Sequence, residues 1–386
     1  MNSHRTFTFE LPTRISFGAG AVSQLPDEIR AVNGTTVLLV SDPGLVAAGV
    51  VDRVTDLLRT SGFEPAVFTD VEPEPDAKGV MAAAELARST GADVIVGVGG
   101  GSALDTAKSA ALMARNPGHI RDFVGLNLPS EPGLPVIAMP TTAGTGSECA
   151  IWAVISEKER HDKYGIGGRN MTATVALCDP ELTLTLPARQ TVGTGADALA
   201  HALESYVNKA TQPISEALSE KAMQLIAGSF RTAVFNGADL EARSNMMIAA
   251  TMAACAFAPT RLGLAHAMAM PLGALAKIPH GDVIAILLPE VMRFNAVAAQ
   301  PQFAEIARIF GVDTRGLSLR DAANAGVEAV SVMLSDVGAP ASLAAYGVTE
   351  SDLEELAVES MKSGNVVVNP RPTRPEDLVE IMRRCL

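Results

Sequence analysis

Residues Asp93–Asp105 read DVIVGVGGGSALD, and the order of residue types in this stretch decides the fold. Asp93–Val98 is a continuous apolar run, the pattern of a strand buried on both faces of a parallel sheet. Gly99, Gly100 and Gly101 follow at once. The chain then enters Ser102–Arg115, a helical stretch stopped by Asn116-Pro117-Gly118. The flanking sequence repeats this rhythm. Thr36–Val40 (TVLLV) is a β-branched run ending at the turn signal Ser41-Asp42-Pro43-Gly44, and Val50–Ser61 reads as an amphipathic helix. Ala66–Asp70 is a second strand, Ala77–Thr90 a helix closed by Gly91, and Leu134–Met139 a further buried strand running into Pro140. Strand–helix alternation of this kind predicts a parallel sheet with crossover helices.

Between Leu184 and Gly195 the rhythm changes. From Thr191 onward the chain reads as helices at Asp197–Asn208, Ile214–Thr232, Leu240–Ala258, Pro301–Phe310, Leu319–Asp336 and Thr349–Ser363. The expectation is a two-domain protein, with a Rossmann-like α/β domain over residues 1–188 and an all-α domain over residues 189–386.

The totals agree with a large globular chain. Its 386 residues are enough for two cores, and 48% hydrophobic against 19% charged residues is not a disordered composition. Aromatics are scarce at 4%, so small aliphatics must do most of the packing. The net charge of −13 and the lack of any Lys/Arg run argue against a nucleic-acid partner. An anionic small molecule would need a local cation to hold it. No apolar window reaches membrane-span length, and Met1–Pro12 lacks the apolar stretch of a signal peptide. Cys149, Cys178, Cys255 and Cys385 form no CxxC pair, as expected of reduced thiols in a cytoplasmic protein.

The glycine turn carries the first chemical signal. Glycines admit a phosphate close to backbone N–H groups, and a helix N-terminus adds favourable partial charge. Ser102 suits a helix cap or a phosphate donor; a plain tight turn with a serine cap fits the same residues. A second polar loop, Pro140–Glu148 (PTTAGTGSE), follows the next strand and carries Thr141, Thr142, Thr145 and Ser147. Two such loops after consecutive parallel strands lie at the carboxyl edge, where open α/β sheets bind ligands.

The second signal is sparse histidine. Asp197 and His201 are four apart in a helical stretch and project from one face. His266 lies in the apolar segment Gly263–Met268, and His280 follows Ile278-Pro279. Pro271 and Pro279 require the chain to turn between those two histidines. Each residue also has a structural reading, as a hydrogen-bonded core histidine or, for Asp197, an acid in the first turn of a helix. Convergence of all four would suit Fe(II), Zn(II), Mn(II) or Ni(II). His4, His119 and His161 read as surface or loop histidines.

Together these motifs resemble the iron-containing (group III) alcohol dehydrogenases over nearly the whole chain. The matching segments are Gly99–Lys108, Pro140–Glu148, Lys163–Ile166, Asp179–Thr183, Gly195–Glu204, Gly263–Met268 and Pro279–Gly281. The resemblance implies a dehydroquinate synthase-like fold with the active site in the cleft between its domains. It implies Asp197, His201, His266 and His280 as ligands of a divalent metal, Fe(II) with Zn(II) as the alternative. It implies that Gly99, Gly100, Gly101 and Ser102 cradle the pyrophosphate of NAD(H), with Asp105 nearby. Thr141, Thr142, Thr145 and Ser147 would line the cofactor, Lys163 and Leu182 would lie closer to its ribose and nicotinamide side, and Asp42 would face the adenosine ribose.

Two positions depart from the family pattern. Met270 stands where many members carry a histidine, which puts the family's proton route in question. Arg261 stands where many have a small or neutral residue. The implied reaction is hydride transfer between NAD(H) and a short primary alcohol or aldehyde, in a cytoplasmic homodimer or larger homo-oligomer. Three other readings compete with it. One is a reductase for a short acid-bearing aldehyde anchored by Arg261, in which the implied catalytic groups stay the same. The others are a lyase or cyclase on the same fold and a binding protein without turnover.

Overall fold

The computed structural model describes residues 6–129, 131–160 and 162–386, so His4 and His161 lie outside the described residues. The chain divides into two compact units, Leu11–Leu186 and Pro187–Leu386, the latter joined by residues 6–10.

The first unit is built on strands β1 (Arg14–Phe17), β2 (Val37–Val40), β3 (Ala66–Phe68), β4 (Val94–Gly99), β5 (Gly125–Leu126), β6 (Val136–Pro140), β7 (Trp152–Glu157), β8 (Asp162–Gly167) and β9 (Val175–Cys178). Six of them form one sheet in the order β1-β9-β6-β4-β2-β3, with every neighbouring pair parallel. The apolar run at residues 94–98 lies in β4, inside this sheet, and β4 is buried at every residue. Apolar clusters cover both faces. One holds Leu38, Ile95 and Ala138 against the helices Ala77–Thr90 and Gly101–Arg115. The other holds Leu39, Val96 and Ile137 against Leu25–Ala31 and Val50–Thr60.

The chain leaves β2 for β3 on one side and returns to β4 on the other. The strand order therefore reverses between β2 and β4, where open parallel sheets form a ligand crevice. The loop carrying Asp42 and the glycine turn flank that reversal.

Three strand regions escaped the pattern reading. The edge strand β1 and the strand β9 are only four residues each. The β7/β8 pair is antiparallel, and Lys158, Glu159 and Arg160 fill the 3-10 turn that joins it, so the region reads as a charged loop.

The second unit is helical. Its principal helices near the candidate ligands are Ala188–Val207, Pro213–Phe235, Leu240–Thr260, Leu264–Ala276 and His280–Ala296. The first begins nine residues before the expected start at Asp197, because Pro187 caps it and Gly193 and Gly195 continue it. Asp197 is therefore a buried mid-helix residue, not a first-turn acid. The chain bends by 99° between Leu240–Thr260 and Leu264–Ala276. It breaks again at Lys277, whose φ of 54° is left-handed, and His280 opens a new helix after Pro279, whereas Pro271 lies inside Leu264–Ala276 and does not interrupt it. No single helix among the described residues is long and apolar enough to cross a membrane.

Gly281 sets how closely the His280 helix approaches the Asp197 helix. A Cβ there would stand 2.4 Å from the Gly193 carbonyl oxygen, a backbone atom that cannot swing aside. Gly281→Ala is expected to destabilise the protein by about 1–3 kcal/mol through overpacking. Gly228, with nothing near its missing Cβ, is the control, and Gly228→Ala should stabilise its helix by about 0.4–1 kcal/mol. Urea denaturation of both variants checks the pair of opposite signs.

Candidate metal centre and cofactor cradle

Four side chains meet at one carboxylate oxygen. Asp197 Oδ1 lies 3.2 Å from His266 Nε2, 3.4 Å from His280 Nε2 and 3.6 Å from His201 Nε2. One turn of helix brings Asp197 and His201 together, the first turn of Leu264–Ala276 supplies His266, and the first residue of the next helix supplies His280. His201 and His266 stack with ring centroids 4.6 Å apart, and His280 lies at 5.5 Å from His266. Asp197, His201 and His266 form a tight buried trio. His280 completes the set from the open side, with its side chain 34% exposed.

The donor set demands a cation. Glu204 is a buried carboxylate that accepts the backbone N–H of Gly263 at 2.9 Å and of Ala265 at 2.7 Å. His266 Nδ1 lies 2.6 Å from the same carboxylate. Nδ1 therefore carries the proton donated to Glu204, and Nε2 turns a lone pair toward Asp197 Oδ1. A lone pair facing a carboxylate is repulsive unless a positive charge sits between them.

In the metal-free protein a proton plays that part. Burial alone lowers the basicity of His266, but the Glu204 and Asp197 carboxylates overcome it and raise its pKa to about 9. His201 goes the other way: burial, only partly opposed by Asp197, pushes it down to about 4, so it is a neutral donor at pH 7. Burial pushes the Asp197 pKa up, but the surrounding histidines outweigh it and hold the carboxyl well below its ordinary range. Neutral imidazole and ionised carboxylate are the forms that bind transition metals. A hydrogen bond from the second ring nitrogen to a carboxylate is the usual support of a ligand histidine. The residues fit a divalent ion.

Sequence reading missed the supports. Glu204 shares a helix face with Asp197 and His201, seven residues after the first and three after the second, a periodicity that could have revealed it. Phe257 packs its ring 4.7 Å from His201 and walls one side of the cluster with apolar surface. Asp282 accepts from Arg189 Nη2 at 2.6 Å and from the Tyr346 hydroxyl at 2.7 Å, fixing the start of the helix that carries His280. Their spacing in the sequence gives no signal.

Arg261 ends the helix Leu240–Thr260 with φ 63° and ψ −168°. That region is essentially reserved for glycine, and a side chain there costs on the order of 1–3 kcal/mol.

In the sheet unit the two polar loops touch. A Cβ on Gly101 would stand 2.8 Å from Thr145 Cγ2, so only glycine lets them close. Gly100, not Ser102, caps the helix Gly101–Arg115, and no side chain fills the cap. The first backbone N–H groups of a helix have no partner within it and are available to an anion. Ser102 sits one residue into the helix, and its hydroxyl accepts from the Glu74 N–H at 3.2 Å.

Asp105 and Ser147 hold the loops rather than lie open. The Ser147 hydroxyl donates to Asp105, whose other oxygen takes the Val154 N–H at 2.8 Å. Buried Lys108 pairs with Asp105 at 3.1 Å and donates to the carbonyls of Ser147 at 3.0 Å and Trp152 at 2.6 Å.

Asp42 caps the helix Pro43–Ala47 by accepting the Leu45 N–H through Oδ1, while Oδ2 faces Gly99. Lys163 Nζ pairs with Glu74 at 3.1 Å, and Glu74 holds a left-handed φ of 63°. Leu182 departs from expectation. Its side chain is buried in the sheet core, because Asp179 caps the turn Pro180–Thr183 and directs it inward. The Leu182 side chain is therefore core, not an open wall of the cradle.

Residues 12–180 match the family description "Iron-containing alcohol dehydrogenase", and residues 191–386 match "Fe-containing alcohol dehydrogenase family, C-terminal". The chain is 38% identical over 381 residues to choline dehydrogenase of Bacillus subtilis, covering 98% of this chain and 94% of that one. It is 36% identical over 378 residues to NAD-dependent methanol dehydrogenase of Bacillus methanolicus, covering 98% and 99%. The crystal structure of a 1,3-propanediol oxidoreductase superposes with a TM-score of 0.97 at 37% identity, covering 99% of this chain and 100% of that one. The chain thus belongs to the iron-containing alcohol dehydrogenases, metal-dependent oxidoreductases that move a hydride between NAD(H) and an alcohol or aldehyde.

Proposed function

We propose that Asp197, His201, His266 and His280 hold the divalent metal, and that the substrates are short primary alcohols and their aldehydes. The observation that carries this is the convergence of three imidazole nitrogens on one buried carboxylate oxygen. A bound divalent ion supplies Lewis acidity toward the substrate oxygen.

The chain's own residues do the rest. Glu204 fixes the tautomer and rotation of His266. Asp282 anchors the helix that presents His280. Phe257 excludes water from the His201 side. In the domain spanning residues 1–188, Gly99–Ser102 offer backbone N–H groups to the pyrophosphate, with Thr141, Thr142 and Thr145 on the facing loop. The Asp105–Lys108–Ser147 lock keeps both loops in place. Lys163, with Glu74, lies on the ribose side, and residues 189–386 form the metal-binding domain. Buried, unbridged thiols at all four cysteines accord with action in the cytoplasm, and the working form is taken as a homodimer or larger.

Removing metal with a chelator should abolish NADH-linked turnover, and Fe(II) should restore it. Glu204→Gln keeps every ligand but replaces the carboxylate behind His266. Its metal affinity should fall roughly 10–100-fold, read as metal content after dialysis against graded chelator. Full activity in verified metal-free protein, or an unchanged affinity in the Glu204 variant, contradicts the assignment.

Cofactor choice follows from Asp42. A carboxylate at this position accepts hydrogen bonds from an adenosine ribose and repels a 2′-phosphate, so NADH should be preferred to NADPH. Glycine is a tolerable helix cap, so Asp42→Gly should keep the fold while narrowing that preference roughly tenfold, equivalent to about 1.4 kcal/mol. The ratio of kcat/KM for the two cofactors measures it.

A further inference from the structure

We infer that Arg261 is an anion subsite that selects aldehydes bearing an acid group a few carbons from the carbonyl. This rests on the metal site proposed above and names the substrate class it serves.

Arg261 occupies a backbone conformation that favours glycine, yet the sequence places there the longest cation available. The surroundings over-determine the strain. The Arg261 N–H donates to the Phe257 carbonyl at 2.9 Å, and its own carbonyl accepts from Asn208 Nδ2 at 3.0 Å. Two residues on, Gly263 is tied to Glu204, the carboxylate that orients His266. Phe257 meanwhile packs on His201. The backbone of Arg261 is thus fastened at both ends to the supports of the metal cluster.

The Arg261 guanidinium lies against Gly364, where a Cβ would stand 2.0 Å from Nη1. Glycine at 364 makes the room. No carboxylate pairs with this guanidinium, and it makes no hydrogen bond among the described residues, although the chain carries 43 acidic residues. Most other arginines of the molecule hold an acidic partner. Arg261 is solvent-exposed, and its unpaired guanidinium can take a carboxylate or sulfonate through two parallel N–H···O bonds. In a protein of net charge −13, such a cation is what an anionic substrate requires.

The test uses the metal-loaded, full-length enzyme with NADH and two aldehydes of equal length, 4-oxobutanoate and butanal. The readout is the ratio of their kcat/KM values. Arg261→Gly should lower the ratio roughly tenfold or more, mainly through KM for the anion. It should also raise Tm by a few degrees, because the strained position receives its natural residue. An arginine kept for structure would lose stability on the same change. Gly364→Ala retains the charge but displaces the guanidinium, and should lower the ratio as well. Lys277, a second cation at positive φ, is the control for a general field, and Lys277→Gly should leave the ratio in place. A flat ratio in Arg261→Gly, or an equal fall in Lys277→Gly, overturns the subsite. Butanal reduction by the wild type tests the broader dehydrogenase reading separately, so a flat ratio condemns the subsite alone.

Discussion

The helical unit depends on one buried carboxylate. Glu204 takes two backbone N–H groups at the entrance of one helix and the ring proton of His266, while itself belonging to the helix of Asp197 and His201. An ionised carboxylate is stable in an apolar interior only when its lone pairs are filled. Here they are filled by groups that must be placed for the metal cluster to exist. The contact therefore joins two helices, fixes a tautomer and aims Nε2. A substitution that kept the volume of Glu204 but weakened its acceptor strength would leave the helices packed and the ligand loosely aimed.

The sheet unit meets an analogous demand with backbone instead of side chains. The proposed pyrophosphate cradle consists of glycines and uncapped N–H groups, and the side chains around it serve mostly to hold the loops. Asp105 spends both oxygens on Ser147 and Val154, and Lys108 spends its charge on Asp105 and loop carbonyls. Burying this lysine is tolerable because every proton finds an oxygen. Placement of the two loops is thereby decoupled from solvent and from ionic strength.

Much of this was legible in the sequence because periodicity survives without context. The continuous apolar strands β2, β4 and β6 read directly, as did the crossover helices and the histidine break at Pro279. Strand β1 and the β7/β8 hairpin were not legible: β1 (RISF) mixes polar and apolar residues where β2 (VLLV) is a continuous apolar run, and charged turns hide an antiparallel pair. The part Asp105 plays in locking the loops was not legible for a different reason. A motif reports that a residue belongs to the site, but only packing shows whether its side chain faces the ligand or the loop behind it. Leu182 is a like case, since its turn points its side chain into the core. Glu204 shows the opposite case, in which helical spacing from Asp197 and His201 held the information.

The two units therefore expose different parts of the chemistry to substitution. A cofactor site made of backbone N–H groups tolerates few changes except to glycine itself, because its geometry is set by the absence of side chains. A substrate site framed by helix ends is lined by side chains, and one replacement can change what it accepts without moving a ligand. Arg261 and Met270 both lie beside the proposed metal-ligand segment Gly263–Met268 and not in the glycine turn. Holding Arg261 in a conformation natural to glycine lowers stability, and the fold sustains it through hydrogen bonds shared with the metal supports. The same contacts that order the four candidate ligands thus carry the strain of Arg261.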